Sequence, residues 1–212
     1  MLPEGFKKGF ISLFEPAIGF FVSLRIKPNW LTTAGFAFGL ASGVLFGTDH
    51  FFWGGLAALA SGLCDALDGT LARRSGAVTT FGKFFDSVLD RYSELAMFIG
   101  LSYFYSHEAM WRQAILTDLA LAGSLLVSYT RARAEGLGLD CRVGLMERPE
   151  RIVVIIAGTI LTGVFERHWI FETALWLLAV LTNVTAVQRV LFVRKLTKDD
   201  ASNKTSNNTI YK

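Results

Sequence analysis

Apolar residues gather in this chain into six runs, at about 29–47, 51–73, 82–105, 109–134, 147–165 and 169–193. Each approaches the roughly 20 residues that a helix needs to cross hydrocarbon, and the connections between them are short and polar. In lipid a run of this kind must satisfy its own backbone groups, as a helix does. The pattern therefore predicts six transmembrane helices. Ahead of them, Phe6, Phe10, Leu13 and Phe14 recur at helical spacing opposite Lys7 and Lys8, which predicts a helix lying in the interface plane. Pro28 ends that stretch, and Asn29 or Thr32 is placed to cap the first span. On that span Gly35, Gly39, Gly43 and Gly47 repeat every four residues, a stripe that lets a neighbouring helix approach closely. From Thr197 to Lys212 the chain is polar and rich in Asn, Ser and Thr, a composition expected to be disordered. The expected fold is all-α: an N-terminal interfacial helix (1–28), a six-helix membrane domain (29–196) and a tail (197–212).

Composition agrees. Of 212 residues, 52% are hydrophobic, more than a soluble domain of this length carries. The net charge of +3 is small, and its placement says more than its size. Lys7, Lys8, Arg25 and Lys27 precede the first span, and Arg73, Arg74 and Lys83 join the second to the third. Arg131, Arg133, Arg142, Arg148 and Arg151 flank the fourth connection, and Arg189, Arg194, Lys195, Lys198, Lys204 and Lys212 stand at the C-terminal end, whereas the opposite loops hold Arg112 and Arg167. The excess of cations at one end orients the chain in the cell membrane with both termini and these connections facing the cytoplasm. No secretory cleavage site is visible, and no nucleic-acid partner is expected. Cys64 and Cys141 form no metal pattern and read as free thiols in a reducing cytosol. His50, His107 and His168 fall toward the outer loops with no partner at ligand spacing.

The chemistry concentrates at that cytoplasmic end. Asp65 and Asp68 stand near the end of the second run, and Asp86 and Asp90 near the start of the third. Spacings of i,i+3 and i,i+4 put each pair on one helix face. Two such helices on a short loop can aim four carboxylates at one point. Like charges that close in a poorly solvated place either hold protons or hold a cation. Carboxylate oxygens suit a hard divalent ion, Mg²⁺ or Mn²⁺, and two ions about 4 Å apart would clamp a phosphoryl displacement. The plainer alternative pairs these acids with Arg73, Arg74, Lys83 and Arg91 in salt bridges. Ionisable groups within spans are costly, which favours a functional site. Arg131, Arg151 and Arg189 lie at the cytoplasmic ends of three other helices. If those ends converge, their planar forks make a pocket for a phosphate-bearing acceptor.

The spacing D-x2-D-G-x2-A-R-x8-G-x3-D-x3-D, met by Asp65, Asp68, Gly69, Ala72, Arg73, Gly82, Asp86 and Asp90, resembles the signature of the CDP-alcohol phosphatidyltransferases, integral membrane enzymes of phospholipid synthesis. The stretches Y-T-R-A-R-A-E (129–135), G-L-M-E-R-P-E-R (144–151) and V-Q-R (187–189) resemble segments of the phosphatidylinositol phosphate synthases within that family. The resemblance implies a CDP-diacylglycerol donor and a phosphorylated polyol acceptor, inositol 1-phosphate. It implies metal ligation by Asp65, Asp68, Asp86 and Asp90, with two ions expected, and a role for Asp90 as the base. It places CDP-lipid contacts at Asn29, Thr32, Gly69, Arg73 and Gly82, and acceptor-phosphate contacts at Arg131, Arg133, Arg151 and Arg189. Arg131 stands where the resemblance leads one to expect a lysine. Family members are often homodimers, so a second copy is an expected partner beside membrane lipid. Two other readings stay open on residues alone. Glycerol 3-phosphate would serve the same chemistry and give phosphatidylglycerophosphate. A cation transporter would use the same acids as an ion path, but they crowd one end of their spans.

Overall fold

The computed structural model describes residues 19, 21–24 and 26–210, with side chains through residue 198. Among these, six long helices follow one another: α1 (Pro28–Gly47), α2 (Phe51–Arg74), α3 (Thr80–His107), α4 (Trp111–Glu135), α5 (Arg148–Phe165) and α6 (His168–Ile210). They match the six apolar runs to within a few residues, apart from the end of α6. Most of the interfacial helix expected over 1–28 lies outside the described residues.

Two boundaries differ from expectation. Neither Asn29 nor Thr32 caps α1: Lys27 is the cap residue, and Pro28 occupies the first helical turn with no side-chain cap bond. Proline suits that place because its missing N–H would be an orphan there and its φ is already helical. At the other end, α6 continues past the apolar run as far as Ile210, across residues whose composition predicts disorder. Extending an existing helix adds one bond per residue without a new nucleus. The start of α3 is set by a true cap, Thr79, whose Oγ1 accepts from the Gly82 N–H at 2.9 Å.

Helix α1 packs on both α2 and α3, α2 also meets α5, α3 also meets α4, and α6 packs on α4 and α5. The glycine stripe makes the α1 contacts possible. A Cβ on Gly35 would press on Cys64 of α2, one on Gly39 on Ser93 of α3, and one on Gly43 would run into the Ala96 carbonyl. A Cβ on Gly100 would collide with the Gly43 carbonyl in turn, so α1 and α3 touch backbone to backbone. At the end of the bundle opposite the aspartates, Phe46, Phe51, Phe104 and Phe171 form the bulky part of the core. There Phe51 meets Phe104 edge-on, with ring centroids 5.1 Å apart.

Large apolar side chains also cover the outside: Trp30, Val44, Ile99, Ile115, Val153 and Val190 are all exposed. Two helices, Pro28–Gly47 and the His168–Lys198 part of α6, are long and apolar enough to cross a membrane by themselves. The charged residues within and beside the other four lower their mean hydropathy, and those residues build the site.

Candidate active site

The last turns of α2 and the first turns of α3 lie at one end of the bundle, both helices packed on α1. Asp65 and Asp68 come from α2 and Asp86 from α3, and one oxygen from each carboxylate lies within 4.8 Å of the others. Asp68 is buried, and Thr32 of α1 donates from Oγ1 to its Oδ2 at 2.6 Å. Thr32 thus serves this carboxylate instead of capping its own helix. Asp86 Oδ1 is buried with no hydrogen-bond partner among the described residues. A buried carboxylate oxygen left without a donor is costly, and three converging carboxylates repel one another. A hard divalent cation answers both problems, so these residues fit a metal site.

Asp90 stands one turn further along α3 and is not part of that trio. Its Oδ1 lies 2.7 Å from Arg148 Nη2, while Arg148 Nη1 lies 2.8 Å from Asp65 Oδ2. One guanidinium therefore joins a carboxylate of the trio to Asp90. The plainer sequence reading, ion pairs with nearby cations, is met in part: Asp90 also has Arg91 Nη1 at 3.9 Å. The principal partner comes from α5, distant in sequence.

A cleft of about 80 Å³ opens on one side of the trio, lined by Asn29, Thr32, Gly69 and Gly82 together with Asp68 and Asp86. Four of the five residues singled out for the CDP-lipid thus line this one cleft. Arg73, the fifth, is exposed and donates to Thr70 Oγ1 at 3.1 Å. It flanks the cleft without lining it: a Cβ on Gly69 would meet only Arg73 Nη1, at 3.5 Å.

On the other side lies a cavity of about 920 Å³ between α3, α4, α5 and α6. Arg91, Arg131, Arg148, Arg151 and Arg189 all line it. Of the acceptor residues expected from sequence, Arg131, Arg151 and Arg189 come together here. Arg133 does not line this cavity and is exposed, because two residues further along a helix is about 200° around it from Arg131. The three that converge are not equally available. A guanidinium has five N–H donors. Arg151 spends four of them, on both oxygens of Glu94, on the Met146 carbonyl and on Ser128. Arg189 spends three, on the Val143 and Val127 carbonyls and on Glu147. Among the described residues Arg131 pairs with the neighbouring Glu135 alone, at 3.0 Å, with its side chain 38% exposed.

Sequence reasoning passed over Arg148, Glu94 and Glu147. The first two left a signal. Arg148 precedes Arg151 by three residues and Glu94 follows Asp90 by four, the spacings that share a helix face. Asp90 with Arg148 and Glu94 with Arg151 are two rungs between α3 and the start of α5.

Residues 25–195 match the family model for CDP-alcohol phosphatidyltransferase. The phosphatidylinositol phosphate synthase of Mycobacteroides abscessus is 36% identical over 89% of this chain and 86% of its own. The archaetidylinositol phosphate synthase of Methanothermobacter thermautotrophicus is 37% identical over 86% of this chain and 93% of its own. Among solved structures, the Mycobacterium tuberculosis phosphatidylinositol phosphate synthase with CDP-DAG bound superposes with a TM-score of 0.77 at 32% identity, covering 84% of this chain and 92% of that one. The same mycobacterial protein in complex with manganese and citrate gives a TM-score of 0.76 at 31% identity, covering 84% and 87%.

Proposed function

Because this chain belongs to the CDP-alcohol phosphatidyltransferase family, we propose that it moves the phosphatidyl group of CDP-diacylglycerol to a hydroxyl of inositol 1-phosphate and releases CMP. It is an enzyme, and membership of that family sets the transporter reading aside. The observation that carries the proposal is the adjacency of three things: a carboxylate trio, a glycine-walled cleft on one side, and an arginine-lined cavity on the other.

Magnesium or manganese, two ions by expectation, held by Asp65, Asp68, Asp86 and Asp90, which line one small cavity, would neutralise the diphosphate and ease the departure of CMP. The chain's own residues do the rest. Gly69 and Gly82 let the nucleotide lie against the helices, and Asn29 and Thr32 form the facing wall. Arg73 lies at its edge, where it reaches the diphosphate. In the arginine cavity, Arg131 and the remaining donors of Arg189 and Arg151 hold the acceptor's phosphate. An alcohol is a weak nucleophile at neutral pH, so Asp90 takes its proton as the oxygen attacks the lipid-linked phosphorus. The P–O bond to CMP breaks as the new P–O bond forms.

The membrane setting follows from the same residues. All six helices cross the bilayer, with the site and both termini on the cytoplasmic side, where cations crowd and a nucleotide-activated donor would be met. The exposed apolar side chains then face acyl chains.

The test is an acceptor panel with purified full-length protein and one labelled CDP-diacylglycerol. Inositol 1-phosphate is expected to give metal-dependent CMP release and a phosphorylated product lipid, with free inositol inert. Turnover of glycerol 3-phosphate instead would replace the acceptor and keep the chemistry. CMP release with neither would overturn the proposal.

A further inference from the structure

At the end of the bundle opposite the aspartates, a cavity of about 420 Å³ opens between the α1–α2 and α5–α6 turns. From Phe51, which lines it, to Asp65 is about 20 Å of helix at 1.5 Å per residue, so it is no part of the site already described. Its charge is one-sided. Asp49 and Glu166 line it, and among the described residues no lysine or arginine does; Arg167, next in the chain, is exposed outside it. Glu166 follows α5 in the left-handed region, at φ 53°, where glycine or asparagine is the usual residue. Thr162 also lines the cavity. It is 2% exposed, and its Oγ1 is buried with no hydrogen-bond partner among the described residues. Thr159, on the same helix, returns its hydroxyl to the Ile155 carbonyl at 2.7 Å, as helical threonines do; Thr162 does not. His168, on the α6 side, has a buried Nδ1 likewise without a partner among the described residues. Its ring is stacked on Phe104, with centroids 5.7 Å apart, and its Nε2 lies 3.9 Å from Asp49 Oδ1. Buried polar atoms left without partners are costly, and here two of them border one acidic cavity.

We propose that this cavity binds a primary ammonium group, carried by a free amine or by the ethanolamine-type head group of a lipid. An ammonium has three N–H donors and no acceptor. The carboxylates of Asp49 and Glu166 and the hydroxyl oxygen of Thr162 supply three acceptors of matching number. Phe52 and Trp53 line the same space, their rings 5.4 Å apart and nearly perpendicular, and aromatic faces attract an organic cation. A bare metal ion fits less well. The acids gathered tightly enough to grip one are Asp65, Asp68 and Asp86, whereas Asp49 and Glu166 border a space the size of a small organic ion. Trp53, Trp111 and Trp169 are all exposed in the first turns of helices that begin at this end. Indoles collect where head groups meet acyl chains, so the cavity lies at a level that a lipid head group reaches.

Two probes test this on the purified full-length protein, with Mg²⁺ in excess to occupy the aspartate trio. Saturation-transfer NMR compares ethanolamine with ethylene glycol, its neutral isostere. Native mass spectrometry compares phosphatidylethanolamine with phosphatidylglycerol. The amine-bearing member of at least one pair is expected to bind about tenfold or more tightly than its control. Binding of the lipid with free ethanolamine silent identifies a head group as the source, and the reverse identifies a free amine. Asp49→Asn and Glu166→Gln keep the shape and remove charge, and each is expected to weaken binding about tenfold. Thr162→Val separates a ligand contact from a structural role. It is expected to weaken binding about fivefold while leaving the melting temperature unchanged or higher, since it deletes an unpaired buried hydroxyl. CMP release is expected to be unaffected in all three variants. No preference for the amine in either pair would overturn the proposal. So would a preference that persists undiminished when Asp49→Asn and Glu166→Gln are combined, or a Thr162→Val protein that loses stability and keeps its affinity. Should Thr162→Val not fold, the two carboxylate variants decide.

Discussion

Arg151 and Glu94 meet through two parallel bonds, Nε to Oε1 at 2.7 Å and Nη2 to Oε2 at 2.9 Å, with neither side chain more than 1% exposed. Breaking one side of such a pair leaves a buried charge without its partner. Glu94→Ala is therefore expected to cost about 3–5 kcal/mol of stability, whereas replacing both partners with apolar residues, Arg151→Met with Glu94→Leu, recovers most of it. Denaturant unfolding in detergent reads both. A Glu94→Ala protein as stable as wild type would mean that the pair does not hold α5 to α3.

The same bookkeeping separates the arginines of the cavity. Arg131 is half-free and Arg189 is buried against two carbonyls. Arg131→Ala is expected to raise the acceptor KM by about tenfold, worth some 1.4 kcal/mol of charge-assisted bonding, with an unchanged melting temperature. Arg189→Ala removes the guanidinium donor to the Val143 carbonyl, while the Val127 carbonyl keeps Thr130 Oγ1, and is expected to cost about 1–3 kcal/mol of stability as well. Steady-state kinetics beside thermal unfolding distinguishes the two.

Thr32 touches no cation itself but fixes Asp68 through a 2.6 Å bond. Thr32→Val keeps the shape and removes the donor. Partners of ligating groups typically matter by about 10–100-fold, so Mn²⁺ affinity is expected to fall within that range. Equal affinities would show that Asp68 is held by its helix alone.

Two glycine substitutions are expected to act on different properties. Gly43→Ala forces a methyl into the Ala96 carbonyl and is expected to cost about 1–3 kcal/mol as overpacking does, with little effect on KM in whatever protein remains folded. Gly69→Ala meets only the end of a flexible arginine, so the fold is spared while the methyl narrows the cleft. Its KM for the CDP-lipid is expected to rise at unchanged melting temperature.

Much of this was legible in the sequence, and the reasons are physical. Run length set the helices, because a span must be long and apolar. The i,i+3 spacing of Asp65 and Asp68 put them on one face before any coordinates, and the glycine stripe from Gly35 to Gly47 announced a close helix contact. Partner choice was less legible. Asp90 and Arg148 lie far apart in sequence and meet only in the folded bundle, where α1 packs on α2 and α3 and α5 packs on α2. Arg133 matched a motif by position yet points away, since a motif records spacing and a helix imposes rotation. Arg151 and Arg189 read as open phosphate forks, but their burial engages most of their donors. The capping role expected of Thr32 failed because α1 begins at Pro28, a full turn earlier, and the threonine hydroxyl meets Asp68 instead.

Catalysis by this chain requires the carboxylate trio to be a divalent-cation site. Anomalous scattering from crystals grown with Mn²⁺ tests it directly. The expected result is a manganese peak among Asp65, Asp68 and Asp86. Manganese elsewhere, or none at that trio under conditions that support CMP release, would contradict it.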